Sequence, residues 1–153
     1  MMLFPEDVLI EALDKIYIPR RGEQFSAGYD LVTHSISPSL GDSPGDFLIP
    51  SQATVRLHCG FRMALPKNYF ALIVPRSSWR RRGLLCLSVY DPGYLDFVEP
   101  FVTNLSDSAL IVHAGERVLQ MLILPLERLE LVTVSSLPTS LYNRGGGAGS
   151  TGK

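Results

Sequence analysis

The sequence predicts an all-β fold, closed as a sandwich, barrel or jelly roll, with at most one or two short helices. Three observations lead there. Prolines at 38, 44, 50, 66, 75, 92, 100, 125 and 138 arrive too often for long helices. Between them lie short β-rich runs, several alternating apolar and polar residues at period two, as half-buried strands do. No helix-length segment separates these runs, which disfavours a crossover α/β architecture.

Taken in order, residues 8–16 carry apolar side chains at 8, 9, 10, 12, 13 and 16, a pattern that fits one short helix or a strand. Strand-like runs follow at 47–50, 53–65, 69–75, 83–90, 97–105, 109–114, 117–126 and 129–137. Asp91-Pro92-Gly93 is a turn signature, so Tyr90 and Tyr94 should flank a hairpin-like reversal. No internal repeat is visible. Residues 1–140 read as one β core. Residues 141–153 end in a glycine-rich run with no hydrophobe larger than Ala148, which cannot feed a core and reads as a flexible lid or an inert tail.

Composition excludes several classes. A hydrophobic fraction of 46% is enough for a packed core and excludes wholesale disorder. Lys+Arg 14 against Asp+Glu 15 argues against a general nucleic-acid coat. Cys59 and Cys86 cannot form a disulfide framework or a four-cysteine zinc site, and read as buried thiols in a reducing compartment. Acidic residues at 6, 7, 11 and 14 interrupt any signal-peptide core. No apolar run approaches the ~18 residues of a membrane helix. The expectation is a soluble cytoplasmic protein, or a nuclear one in a eukaryotic or viral setting, with no nucleic-acid or membrane partner.

Three segments could carry chemistry. Arg144 and the glycines that follow it, with Gly149, Ser150 and Thr151, offer unobstructed amides, hydroxyls and a guanidinium that suit an anion such as phosphate. Arg76, Ser77 and Ser78 follow a strand end, where functional loops sit. The triplet Arg80–Arg82 reads as a solvated basic loop, because adjacent side chains cannot all face one ligand. Asp91 could act chemically or simply cap its turn. His34, His58 and His113 are scattered without metal-ligand spacing. Ser, His and Asp are all present, but no triad follows without geometry.

In this order the pieces resemble the trimeric deoxyuridine triphosphate nucleotidohydrolases, the dUTPases. The matching runs are Ala27-Gly28-Tyr29-Asp30-Leu31, Pro75-Arg76-Ser77, Asp91 with Tyr94 three residues on, Gly115-Glu116-Arg117-Val118-Leu119-Gln120, and Arg144 to Gly152. Asn104 falls where the family has an asparagine after its third motif. The resemblance implies a jelly-roll-like fold and cleavage of dUTP to dUMP and pyrophosphate. It implies a homotrimer with active sites between subunits. Asp91 would be the general base, and Asp30 would hold a metal-bound water or an arginine. Arg76, Ser77, Ser78, Gln120, Arg144, Gly149, Ser150 and Thr151 would hold the phosphates. Backbone groups around Ser88 and Val89 would read the uracil edge, and Tyr94 would pack under the deoxyribose. Mg²⁺ would be held by phosphates and water, with no direct protein ligand.

The chain also departs from that pattern. Residues 83–91 form a shorter loop than usual, Asp96 replaces a glycine, Glu116 replaces an aspartate, and Ala148 replaces a phenylalanine that stacks on the base. The related dCTP deaminases share Arg76 to Gly83 and Asp91-Pro92-Gly93, which leaves deaminase or bifunctional activity as an alternative. Their catalytic glutamate corresponds to Phe101 here; Glu99 lies two residues earlier, about 7 Å along a strand. A non-catalytic jelly-roll binding protein is the remaining class.

Overall fold

The computed structural model describes residues 6–38 and 45–138. In chain order the described elements are β1 (Leu9–Ala12), a 3₁₀ turn (Lys15–Tyr17), β2 (Tyr29–Val32), β3 (Ser35–Ser37), β4 (Asp46–Ile49), β5 (Thr54–His58), β6 (Phe61–Ala64), β7 (Tyr69–Pro75), α1 (Ser77–Arg81), β8 (Leu84–Leu85), β9 (Ser88–Tyr90), β10 (Phe101–Asn104), β11 (Leu110–His113) and β12 (Arg117–Pro125). One four-stranded sheet runs β2-β12-β7-β9 and another runs β3-β5-β10-β8. Two-stranded ladders, β1-β6 and β4-β11, complete the β structure. All ladders are antiparallel. The fold is all-β, as the proline spacing and period-two runs predict, and jelly-roll-like, as the resemblance implies.

Alternation decides which faces are buried. Val55 and Leu57 of β5 point inward while Thr54 and Arg56 are exposed. Phe61 and Met63 of β6 and Ala71 and Ile73 of β7 follow the same rule. β12 is the central strand of its sheet, and Val118, Leu119 and Met121 are all buried. A register shift between Arg117 and Leu119 allows Val118 and Leu119 to be buried in succession. Each such side chain removed from water contributes about 1.5–3 kcal/mol. Cys59 and Cys86 are free and buried, and burial pushes the Cys86 thiol up to about 11 and the Cys59 thiol higher still.

Four local expectations are corrected or resolved. Residues 8–16 split: β1 pairs with β6, and Asp14 then turns the chain by accepting a hydrogen bond from the Ile16 amide at 3.1 Å. The supposed basic loop after Pro75 is α1, closed by bonds from the Trp79 and Arg80 amides to the Arg76 carbonyl. Trp79 is buried beneath it, and apolar burial favours the helical turn that periodicity in so short a run could not reveal. Gly83, at φ +95°, stops the helix; a Cβ there would lie 3.1 Å from Ser106. Residues 83–90 are two strands rather than one, because β8 pairs with β10 while β9 pairs with β7. The chain changes sheets at Cys86-Leu87. Residues 129–137 alternate like a strand but form none, and Leu129, Leu131 and Leu137 are exposed.

The reversal at 91–94 closes through a bond from the Tyr94 amide to the Asp91 carbonyl, 3.1 Å. It is not a hairpin, since the returning strand β10 pairs with β5 and β8 instead of β9. Residues 97–100 run beside β5 and β6 as irregular chain: the Leu57 and Cys59 amides donate to the Pro100 and Val98 carbonyls, and Pro100 itself has no N–H to give.

Asn104 pins the end of β10. It is fully buried, and its Nδ2 donates to the carbonyls of Ile49, Pro50 and Ser108 while its Oδ1 accepts from the Ser106 amide and hydroxyl. Asn104→Ala strands those buried groups, so urea unfolding should show a loss of about 2–4 kcal/mol. A loss under ~0.5 kcal/mol would mean that water replaces the amide without cost. On the β4-β11 ladder, His113 Nδ1 lies 2.6 Å from Asp46 Oδ1. That hydrogen bond, with the Asp46 charge behind it, raises the imidazole above its ordinary value of 6.5. Its stabilising effect is complete below 6.5 and is lost as pH rises through the higher folded value. An NMR titration should show the His113 midpoint falling in Asp46→Asn; an unmoved midpoint would remove Asp46 as the cause.

Candidate active site

The ladder of β12 assembles the first half of the site. Gln120 stands opposite Asp30 on one side and Val74 on the other. Its Nε2 donates to the Pro75 carbonyl at 3.3 Å, which turns the side chain toward the end of β7. Gly28 leaves room for it: a Cβ there would fall 2.6 Å from Gln120 Oε1. A glycine at 28 is therefore a packing requirement of the glutamine.

Asp30 is 9% exposed, and a carboxylate so placed needs cations. Arg76 Nε lies 3.1 Å from Oδ1 and Arg117 Nη1 lies 3.7 Å from Oδ2. Arg76 also donates through Nη1 to the Arg117 carbonyl at 3.3 Å. Asp30 thus holds two arginines in one arrangement at the junction of β2, β7 and β12.

Beside this junction lies a cleft of about 360 Å³. Ser77, Arg80 and Gln120 supply its polar groups, and Pro75, Leu84 and Leu85 supply apolar wall. Ser78 is exposed on α1 and is not among the residues lining the cleft.

The second half of the site gathers around β9. This strand is at the sheet edge, with Ser88 and Val89 paired to Ile73 and Leu72 on one side only. Alternate amides and carbonyls on its other side have no ladder partner among the described residues, so the edge can pair with a planar hydrogen-bonding ligand. Asp91 follows immediately, exposed, with no side-chain partner among the described residues. The Tyr94 ring meets Tyr90 edge-on at 5.1 Å, and its hydroxyl donates to the Phe97 carbonyl at 3.0 Å. Burial raises the Tyr94 phenol, with the Asp96 and Glu99 charges adding to it. Tyr90 is raised further by burial, and its hydroxyl accepts from the Glu99 amide at 3.1 Å. Both rings are neutral, fixed surfaces.

Within one chain the Asp91–Tyr94 end of the second half stands away from the cleft. Tyr90 pairs with Ala71, whereas Arg76 and Ser77 follow the far end of β7. Five residues of strand separate these positions, roughly 17 Å. Arg144, Gly149, Ser150 and Thr151 lie outside the described residues. Sequence reasoning missed Arg117 as a site residue, although it stands inside a matching run. It also set Arg80 aside, and the signal for it was the three-residue spacing from Ser77, which becomes informative once α1 is known.

Glu99 is engaged elsewhere. His58 Nδ1 lies 2.7 Å from its Oε1 and Arg56 lies 3.7 Å from its Oε2. Phe101 projects from β10 at 58% exposure.

Residues 14–152 match the family profile described as dUTPase. The deoxyuridine 5'-triphosphate nucleotidohydrolase of Dictyoglomus turgidum is 36% identical over 155 residues, covering 95% of this chain and 97% of that one. Its counterpart in Arabidopsis thaliana is 32% identical over 141 residues, covering 91% and 78%. Among solved structures, the dUTPase of Staphylococcus bacteriophage 80alpha with dUPNHPP shares the fold at a TM-score of 0.79 and 18% identity, over 96% of this chain and 99% of that one. A mutant dUTPase from phage phi11 of S. aureus, described as coordinating a structural Mg(II) ion, has a TM-score of 0.71 at 16% identity, over 86% and 98%. With the family profile spanning nearly the whole chain and relatives above 30% identity along it, the chain belongs to the dUTPase family.

Proposed function

We propose that the chain hydrolyses dUTP to dUMP and pyrophosphate at sites completed between the subunits of a homotrimer. One observation carries the assembly: the phosphate-type cleft at Ser77 and the Asp91–Tyr94 turn stand at opposite ends of β7. A second copy that brings its turn to this cleft makes one whole site. Exposed Leu85, Leu87, Val89 and Phe101 supply apolar surface for such contacts.

In the assembled site the β9 edge pairs with the uracil ring, and a cytosine amino group mismatches it. Leaving a buried polar group unpaired costs about 1–3 kcal/mol, enough for useful discrimination. Tyr94, held by Tyr90 and the Phe97 carbonyl, packs against the deoxyribose and leaves no cavity for a 2′-hydroxyl. Ser77, Gln120 and Arg76 hold the α and β phosphates, and Ser78 serves from the outer face of α1. Asp91 accepts the proton of the attacking water, a role its exposed, uncommitted carboxylate suits. Pyrophosphate leaves as the water oxygen bonds to the α phosphorus.

Mg²⁺ fits as part of the substrate. This hard cation prefers phosphate oxygens and water. Among the described residues no three His, Cys, Asp or Glu side chains converge, and Asp30 is committed to two arginines. Bound with the triphosphate, the ion supplies charge neutralisation along the phosphate chain. Residues 141–153 act as a lid through Arg144, Gly149, Ser150 and Thr151. A nucleotide substrate of this kind supports a cytoplasmic or nuclear location. Among the described residues no helix is long and apolar enough to cross a membrane.

The direct test is the product: pyrophosphate from dUTP supports the reading, whereas ammonia from dCTP or no product at all overturns it. Asp91→Asn keeps the shape and removes the base, so turnover should fall at least about a hundredfold while dUTP still binds. Dissociating and reassociating this variant with Ser77→Ala should restore part of the activity, since mixed trimers contain sites with both halves intact. No recovery from verified mixed trimers counts against sites shared between chains. Deleting residues 144–153 should leave a folded protein with much lower turnover. Turnover equal to that of the full chain would make the tail only a tail.

A further inference from the structure

We propose that Arg80 is a second phosphate-binding arginine of the cleft, contacting the pyrophosphate portion of the bound nucleotide. The identity of that anion rests on the proposed function; the assignment of Arg80 rests on how the neighbouring arginines are used. Four of them follow Pro75 within seven residues: Arg76, Arg80, Arg81 and Arg82. Arg76 is already occupied, with Nε on Asp30 and Nη1 on the Arg117 carbonyl. The Asp30 carboxylate offsets much of its charge. Arg82 lies over the Trp79 ring at 4.0 Å. Arg81 is exposed and is not among the residues lining the cleft.

Arg80 differs from all three. It lines the cleft together with Ser77 and Gln120, two of the residues given the α and β phosphates. Its backbone bonds belong to the helical turn, and its side chain has no hydrogen bond, ion pair or ring contact among the described residues. Ser77 and Arg80 are three apart on α1, so their side chains share one face of the helix. The walls beside them are apolar at Pro75, Leu84 and Leu85, and such walls strengthen any charge interaction made against them. No carboxylate lines the cleft. A forked, permanently charged donor left unpaired in a cleft of this kind matches the paired oxygens of a phosphate chain. The basic triplet is therefore divided in use: Arg80 serves the ligand, Arg82 packs on Trp79, and Arg81 faces solvent.

The experiment compares Arg80→Ala, Arg80→Lys and Arg81→Ala in the full chain. The readouts are kcat and KM for dUTP, inhibition by dUMP, and binding of inorganic triphosphate by calorimetry. Arg80→Ala should raise KM for dUTP about tenfold or more, the effect of losing charge-assisted bonds, and weaken inorganic triphosphate to match. Inhibition by dUMP, which lacks the pyrophosphate portion, should stay unchanged. Arg80→Lys should recover part of the loss, and Arg81→Ala should behave as wild type. Equal losses in Arg80→Ala and Arg81→Ala would overturn the proposal in favour of a general basic field, and so would a wild-type KM and triphosphate affinity in Arg80→Ala. A wild-type chain inert toward dUTP overturns the proposed function alone; triphosphate affinity then still decides for or against Arg80.

Discussion

A carboxylate withdrawn from water at the meeting point of three strands is the constraint on which the site depends. Asp30 sits on β2, the arginines that neutralise it follow β7 and open β12, and the ladders of β12 hold those strands together. Breaking one partner leaves an uncompensated buried charge, which is why such a group tolerates little rearrangement. The same junction fixes Gln120, whose side chain occupies the space that Gly28 leaves open. Fold and site share one set of contacts here, so strand register fixes where Gln120 and the start of α1 meet.

The balance within the arginines shows how position divides one residue type into several tasks. Arg76 sits closest to the buried carboxylate, which fixes its guanidinium in place. Arg62 pairs with Glu11 across the β1-β6 ladder, where both side chains are solvated and the pair adds little to stability. Arg56 and His58 engage Glu99 and tie β5 to the chain before Pro100. Net charge near zero conceals this local sorting.

Much of the architecture was legible because burial writes itself at period two. Val55 and Leu57, or Ala71 and Ile73, could hardly face anything but the core. The failures share a cause: a pattern says that a face wants covering, without saying what covers it. Residues 129–137 alternate yet find no edge among the four sheets. Residues 83–90 look continuous, and the change of sheet at Cys86 depends on which partners reach Leu84 and Ser88. α1 spans five residues, too few for a helical period to show, and its cause is the burial of a single tryptophan. In the site, Asp30, Arg76, Ser77 and Gln120 could be named from short runs, and their convergence could not, because Gln120 lies far from Asp30 in sequence and opposite it in register.

The exposed edge of β9 carries a consequence for how such a protein changes over generations. An edge that reads a ligand through main-chain groups is indifferent to most side-chain replacements, since every residue but proline presents the same amide and carbonyl. Ser88 and Val89 are therefore free to drift while the pattern of donors and acceptors stays constant. Only a proline, which deletes an N–H, or a one-residue slip of the strand rewrites that pattern. Lineages could diverge widely in these positions and inherit the same selectivity.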